Sequence, residues 1–396
     1  MISFDEAVAI ISSAARPLGT EYIALDQASG RVLAAPVVAA IDSPRTDVSA
    51  MDGYAVRGTD LSGFPVRLNV VGESFPGGGW NGTLEAGHCV RIFTGAPLPA
   101  GANRIVIQER VRRDGDISII DADPGPATWV RPRGKDFTTG DEVLSAGRLL
   151  DPAGLIAAAG ADLAQVEVFV RPRLAVLATG DELAEPGQAR SSPLAVPDSA
   201  SFGVSALAER WGAQVDARTR LSDDLDRLRA AAAEALASSA DILVVIGGAS
   251  VGERDFAKAI FEPTGLELLF SKVSIRPGKP AWLGRSPGKL VLGLPGNPTS
   301  ALVTARLLLT PLIGAMQGRP IERALTWEPA RLSTPLPACD QRETFHRAQL
   351  SNGEVSLVRF QESHGQKALA EADVLIRQPA SSPAAVVGEI VQVLRL

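Results

Sequence analysis

Three glycine turns are the places where this sequence offers chemistry. Each follows a short apolar run: RLAVLA leads into Thr179-Gly180-Asp181-Glu182-Leu183, DILVVI into Gly247-Gly248-Ala249-Ser250-Val251-Gly252-Glu253, and KLVLG into Leu294-Pro295-Gly296-Asn297-Pro298. Glycines at a strand end let backbone amides approach a ligand closely. Ser250 and Glu253 have capping-box spacing, and Pro298 after Asn297 suits a first helical position; helix starts carry free N–H groups that attract anions. One such turn alone is a plain strand-to-helix connection, but three at successive strand ends point to an anion site. Asp181, Glu182, Asp223, Asp224 and Asp255 stand beside these turns. Carboxylates next to anion-binding loops suit a phosphate group held with Mg²⁺. Asp223 and Asp224 serve equally well as helix caps. Lys272-Val273-Ser274-Ile275-Arg276-Pro277-Gly278-Lys279-Pro280 adds three cations within eight residues, and its Pro-Gly turn presents Lys279.

A second group of motifs lies earlier in the chain. Ser49-Ala50-Met51-Asp52-Gly53-Tyr54 places an Asp-Gly turn beside one of two tyrosines, Thr94-Gly95-Ala96-Pro97 follows the apolar CVRIF, and Arg131-Pro132-Arg133-Gly134-Lys135-Asp136 is a basic loop ending in a carboxylate. Gly77-Gly78-Gly79-Trp80-Asn81-Gly82 matches a dinucleotide fingerprint in letters only, because no helix-forming segment follows it.

Composition limits the alternatives. The 396 residues carry 39 Lys+Arg against 45 Asp+Glu, a net charge of −6, which argues against nucleic acid as the main partner. Two cysteines far apart and three histidines without an HExxH pattern leave no zinc ribbon, dithiol site or zinc-protease motif. The N-terminal residues lack the order of a signal peptide, and no long apolar run is free of charge. The expectation is a cytoplasmic protein with no membrane segment.

These loops need elements to hold them. Residues 171–318 alternate apolar strands with helices, the pattern of βαβ units in a mostly parallel sheet. The helix DDLDRLRAAAAEALASS is expected to be capped near Ser222 or Asp223, and PTSALVTARLLLTPLIGAM reads as one long helix. Residues 4–15 and 148–162 read as helices. Short strands punctuated by Gly and Pro fill 57–140, and the tail returns to strands in ALTWEPARL, EVSLVRF, ADVLIRQ and EIVQVLRL. The fold class expected is a multidomain α/β protein. A central doubly wound domain (171–318) stands with an N-terminal mixed domain (1–45 plus 141–170), an inserted β-rich domain (46–140) and a small C-terminal β domain (325–396).

In chain order, SAMDGYAV, TGAPLPAGAN, RGKDF, ATGDEL, GGASVGERDF, RPGKP and LPGNP resemble the molybdopterin molybdenumtransferase family, the MoeA type that includes the gephyrin E domain. The resemblance covers essentially the whole chain. It implies a transferase for the last step of molybdenum cofactor synthesis: molybdenum from molybdate enters adenylylated molybdopterin, with Mg²⁺, and AMP leaves. It implies an elongated homodimer with a site shared between subunits. The molybdopterin adenylyltransferase and apo-molybdoenzymes are candidate partners.

Motif by motif, the resemblance places Asp52, Thr94, Asp136, Glu182, Asp255 and Lys279 in catalysis. It places Gly180, Asp198, Gly248, Ser250, Gly252, Lys272, Arg276, Pro295, Asn297 and Pro298 in substrate binding, Arg347 and Ser363 at molybdate, and Glu182 with Asp255 at Mg²⁺. Departures from the family pattern are Arg276 for Lys, Ala200 for an amide residue, and Ala348 and Glu362 for Gly. Alternative readings are a divergent paralogue that carries molybdopterin or its nucleotide without inserting metal, a gephyrin-like scaffold, and an adenylyltransferase.

Overall fold

In the computed structural model, which describes residues 1–248, 256–286 and 288–396, the apolar runs of the central region stack into one six-stranded sheet. Its order is Gln214–Leu221, Arg173–Thr179, Ile242–Ile246, Lys289–Leu294, Trp282–Ser286, Glu267–Phe270. The first four strands are parallel. The last two form an antiparallel edge that the sequence pattern did not announce. Ile242–Ile246 is buried at every position because both sheet faces are covered. Leu174, Val176, Val244 and Leu292 pack to one side, under helix Ala200–Arg210 and residues 298–316. Ala175, Leu177, Leu243 and Val245 pack to the other, against Leu228, Ala232 and Ala235 of helix Leu225–Ala237.

Residues 298–316 are helical throughout but not uniformly α. Pro298–Thr304 and Thr310–Met316 are α-helical, and Ala305–Leu309 between them is a π turn. Pro311 has no N–H for the carbonyl four residues earlier and its ring crowds that carbonyl; a widened turn relieves both. By length and composition this stretch could cross a membrane, but 89% of it is buried as a core helix. Helix Phe4–Ala14 starts from a capping box of Ser3 and Glu6 and sends Phe4, Ala7 and Ile11 into the core of the central sheet.

Five strands of the tail close into a barrel. Glu343–Ser351 pairs with Glu354–Leu357 on one side and Val374–Gln378 on the other, and Glu328–Leu332 and Ile390–Arg395 complete the ring. Glu343–Ser351 is absent from the four strands expected there. Its central residues Phe345, His346, Arg347 and Ala348 are all buried, so no alternation of polar and apolar residues marks it. The two-residue strand Ile275–Arg276, from the basic loop of the α/β region, runs parallel to it, Ile275 opposite Glu343 and Arg276 opposite Thr344.

Residues 22–29 and 35–167 form a separate compact unit. Its six-stranded sheet has the order Arg104–Ile107, Gly53–Val56, His88–Ile92, Val66–Ser74, Ile117–Ile120, Arg112–Asp114. Tyr54, Val56, Leu68, Cys89, Val106 and Ile120 meet in one of its cores. The helix expected over 148–162 spans only Pro152–Gly160, because the Asp151 carboxylate accepts the Gly154 N–H and sets its start there.

Candidate active site

The chain leaves strand Arg173–Thr179 toward one neighbour and returns to Ile242–Ile246 on the opposite side, so the strand order reverses between them. Ligands of open α/β sheets bind outside the carboxyl ends at such a point. A cleft of ≈ 660 Å³ lies there. Gly180, Glu182, Asp198, Gly248, Pro295, Asn297 and Pro298 all line it. Ser250, Gly252 and Asp255, with the Ser250–Glu253 box, lie outside the described residues. Gly247 must be glycine: its φ is +97°, and a Cβ would stand 2.6 Å from the Thr179 carbonyl oxygen. A Cβ on Gly180 would meet a Glu182 carboxylate oxygen at 2.7 Å, so that carboxylate folds back over the turn.

The two adjacent aspartates separate in role. Asp224 accepts the N–H groups of Asp226 and Arg227, at 3.1 and 3.0 Å, and caps helix Leu225–Ala237, where Ser222 or Asp223 had been expected. Asp223 instead lines the cleft, its N–H donating to the Asp181 carboxylate at 2.9 Å. Asp198, 2% exposed, accepts from the Ser201 N–H and hydroxyl and pairs with Arg218 at 3.7 Å. Its carboxylate therefore secures the start of helix Ala200–Arg210 at the cleft wall. Two cleft hydroxyls escaped the sequence reading. Thr179 Oγ1 and Ser199 Oγ are buried with no hydrogen-bond partner among the described residues, a costly condition for a polar atom.

A second cleft of ≈ 420 Å³ adjoins the first, and Gly278, Pro280 and Ser300 line both. Arg276, Lys279, Arg347 and Ser363 line the second. Lys272 lines neither; its carbonyl accepts the Ile2 N–H at 3.1 Å. Arg276 is exposed and lies 3.9 Å from Asp340, whose carboxyl sits below its ordinary value chiefly because it accepts the Arg342 N–H. Arg347 is 3% exposed and donates to the carbonyls of Glu362, 3.2 Å, and Phe360, 3.3 Å. No carboxylate pairs with it among the described residues. Burial makes its proton less tightly held, and the Glu362 charge opposes that effect.

His346, also buried, hydrogen-bonds the Gln378 amide oxygen at 2.7 Å through Nε2, and burial lowers its pKa, favouring the neutral ring. Cys339 completes this wall, its Sγ 3.1 Å from the Thr344 hydroxyl. Sequence reasoning gave neither residue a place in the site.

The early motifs converge within their own unit. Thr94 donates its N–H and its hydroxyl to one Asp52 oxygen, both at 2.7 Å, and these bonds, hydroxyl first, hold the Asp52 carboxyl below its ordinary value. The Gly95 N–H donates to the Ser49 carbonyl at 2.8 Å, and Ser49 and Val48 pair with Val130 and Arg131. Asp136 follows on that same strip, its N–H on the Ser43 carbonyl at 2.9 Å. One residue of this strip was not foreseen. Asp42 accepts from the Thr139 N–H and hydroxyl and from Arg133, which brings its pKa down to about 2, the Thr139 N–H being the largest cause.

Known proteins resemble this chain in sequence and in overall shape. Residues 2–161 match the MoeA N-terminal region (domain I and II), 175–315 a probable molybdopterin binding domain, and 329–396 the MoeA C-terminal region (domain IV). A molybdopterin molybdenumtransferase of Haemophilus influenzae is 34% identical over 95% of this chain and 94% of its own. Another, from a Nostoc species, is 36% identical over 82% of this chain and 76% of its own. The solved molybdopterin biosynthesis MoeA protein from Pyrococcus horikosii superposes with a TM-score of 0.82 at 27% identity, covering 100% of this chain and 99% of that one. With its switch-point cleft, its C-terminal barrel and its full-length match to these transferases, the chain belongs to the molybdopterin molybdenumtransferase (MoeA) family of molybdenum cofactor biosynthesis.

Proposed function

We propose that this chain inserts molybdenum from molybdate into adenylylated molybdopterin with release of AMP, acting as a cytoplasmic homodimer. The observation that carries this reading is the buried Arg347 guanidinium, which has no carboxylate partner among the described residues and lines a cleft adjoining the one at the switch point. A buried cation without a directly paired carboxylate is costly, and an incoming oxyanion offsets that cost. The adenylylated substrate occupies the first cleft, its backbone-lined glycine turns at Gly180 and Gly248 meeting the pterin or phosphate groups. Lys279 and Arg276 flank the passage to the second cleft and neutralise phosphate charge. Arg347 and Ser363 hold molybdate there. Asp52, Thr94 and Asp136 belong to the machinery that handles the anhydride.

Among the described residues no group of three His, Cys, Asp or Glu forms a metal cage. Glu182 and Asp223 line one cleft, a donor set that fits Mg²⁺ taking its remaining ligands from phosphate and water. Bound there, the ion would supply charge neutralisation on the phosphoanhydride. This chain's own part is positioning: the Glu182 carboxylate is held over the Gly180 turn, and the turns at Gly180, Gly248 and Gly296 on the cleft wall fix the substrate against it.

The test is AMP release from adenylylated molybdopterin with Mg²⁺, with and without molybdate, together with activation of an apo-molybdoenzyme. Molybdate-dependent release with active cofactor is the expected result. Binding without turnover would replace this reading by the carrier paralogue, which Glu362 beside Arg347 and Ala200 in the first cleft favour. Sedimentation of an active monomer would overturn the homodimer.

A further inference from the structure

We infer that Asn297 is a positioning residue for Ser363, aiming the serine hydroxyl at the oxyanion of the second cleft; this rests on the assignment of molybdate to Arg347 and Ser363. Asn297 occupies the N-cap position of the helix that begins at Pro298, with φ −65° and ψ 122°, yet its side chain caps nothing. Asparagine at that position ordinarily accepts an N–H from its own helix. Here its amide Nδ2 donates to Ser363 Oγ at 3.0 Å instead, from a loop lining the first cleft to a residue lining the second.

The other side of Ser363 is also anchored. Arg347 donates to the carbonyls of Phe360 and Glu362, and Gln361 answers with both ends of its amide, accepting the Arg347 N–H at 3.1 Å and donating to the Arg347 carbonyl at 2.7 Å. The loop that carries Ser363 is thus wrapped around Arg347, the group that neutralises the oxyanion. A hydroxyl has one proton and two acceptor positions. With Asn297 donating into the oxygen, the Ser363 proton remains free to donate to an anion in the cleft.

The chemistry predicts a rank order. Asn297→Asp replaces the donor by an acceptor, which captures the Ser363 proton; aspartate is also a good N-cap, so the helix start survives. Asn297→Ala only releases the hydroxyl. Measured by the molybdate dependence of AMP release, the molybdate KM rises about tenfold for Asn297→Asp and less for Asn297→Ala, the size of one hydrogen bond to a charged group. Because Asn297 also lines the first cleft, the molybdate KM rises by a larger factor than the KM for adenylylated molybdopterin. In a Ser363→Ala background Asn297→Asp adds nothing further, because the group it acts through is gone.

An equal rise in both backgrounds, or an adenylylated molybdopterin KM that rises as much as the molybdate KM, would make Asn297 a ligand of the first cleft only and overturn the inference. A rise for Ser363→Ala with none for Asn297→Asp would overturn it while leaving the molybdate assignment standing. No change for Ser363→Ala would remove that assignment and this inference together.

Discussion

Replacing Arg347 by methionine separates the binding of an oxyanion from the packing of the barrel. The side chain is 3% exposed and makes two hydrogen bonds, to Glu362 and Phe360 carbonyls. Losing them costs about 1.5–3 kcal/mol each, but the same change removes the penalty of burying a charge, and methionine fills a similar volume. The expected net change in stability is about 2 kcal/mol or less. The effect on molybdate is larger. Truncating one partner of a buried, hydrogen-bonded charge pair costs on the order of 2–5 kcal/mol, and ~3 kcal/mol is a factor of roughly 100 in affinity. Arg347→Met should therefore raise the molybdate KM for AMP release by about two orders of magnitude and shift the thermal midpoint by only a few degrees. Arg347→Lys keeps the charge but loses the planar fork, so it should fall between. A molybdate KM within about threefold of the parent, with the thermal midpoint little changed, would refute the oxyanion role of this guanidinium.

Three further perturbations test other parts of the reasoning. Glu362→Gln removes a negative charge beside Arg347; the molybdate KM should fall about two- to fivefold at low ionic strength, and high salt should erase the difference. Asp42→Asn tests the strip that holds the early motifs. The folded carboxyl titrates at about 2 and the unfolded one at about 3.9. The unfolded chain therefore binds more protons between those values, and the stabilisation is complete above that range and lost as the pH falls toward about 2. Asp42→Asn should accordingly lower the thermal midpoint at neutral pH, and parent and variant should converge in melts near the folded pKa; an equal gap at both pH values would contradict this. Gly247→Ala places a Cβ 2.6 Å from the Thr179 carbonyl at φ +97°. It should cost about 1–3 kcal/mol in denaturant unfolding and weaken substrate binding; a variant as stable as the parent would show that the turn is slack.

The amino-acid sequence by itself determined the parts whose cause is local. Short apolar runs such as ILVVI, rich in β-branched residues and bounded by glycine, suit strands buried on both faces, and glycines after them mark turns where a side chain would collide, as one at Gly247 would with Thr179. Asp151 before Pro152 and the Ser3–Glu6 box set helix starts through bonds spanning three residues. The motifs near 49, 94 and 131 were visible as turn chemistry before their strands were paired.

Only the tertiary structure decided the rest. Strand Glu343–Ser351 was hidden because His346 and Arg347 occupy its buried positions, and residues that serve a site break the pattern that would reveal their strand. Asp223 and Asp224 are interchangeable in sequence, but the backbone at the helix start aims one carboxylate at Asp226 and Arg227 and leaves the other residue on the cleft. Asn297 reads as a cap until Ser363, 66 residues away, is brought within 3.0 Å of its amide. Such pairings are set by how the α/β sheet and barrel close on each other through Ile275–Arg276 and Glu343–Thr344. Local propensity carries no record of that closure, because its energy comes from contacts between residues distant in the chain.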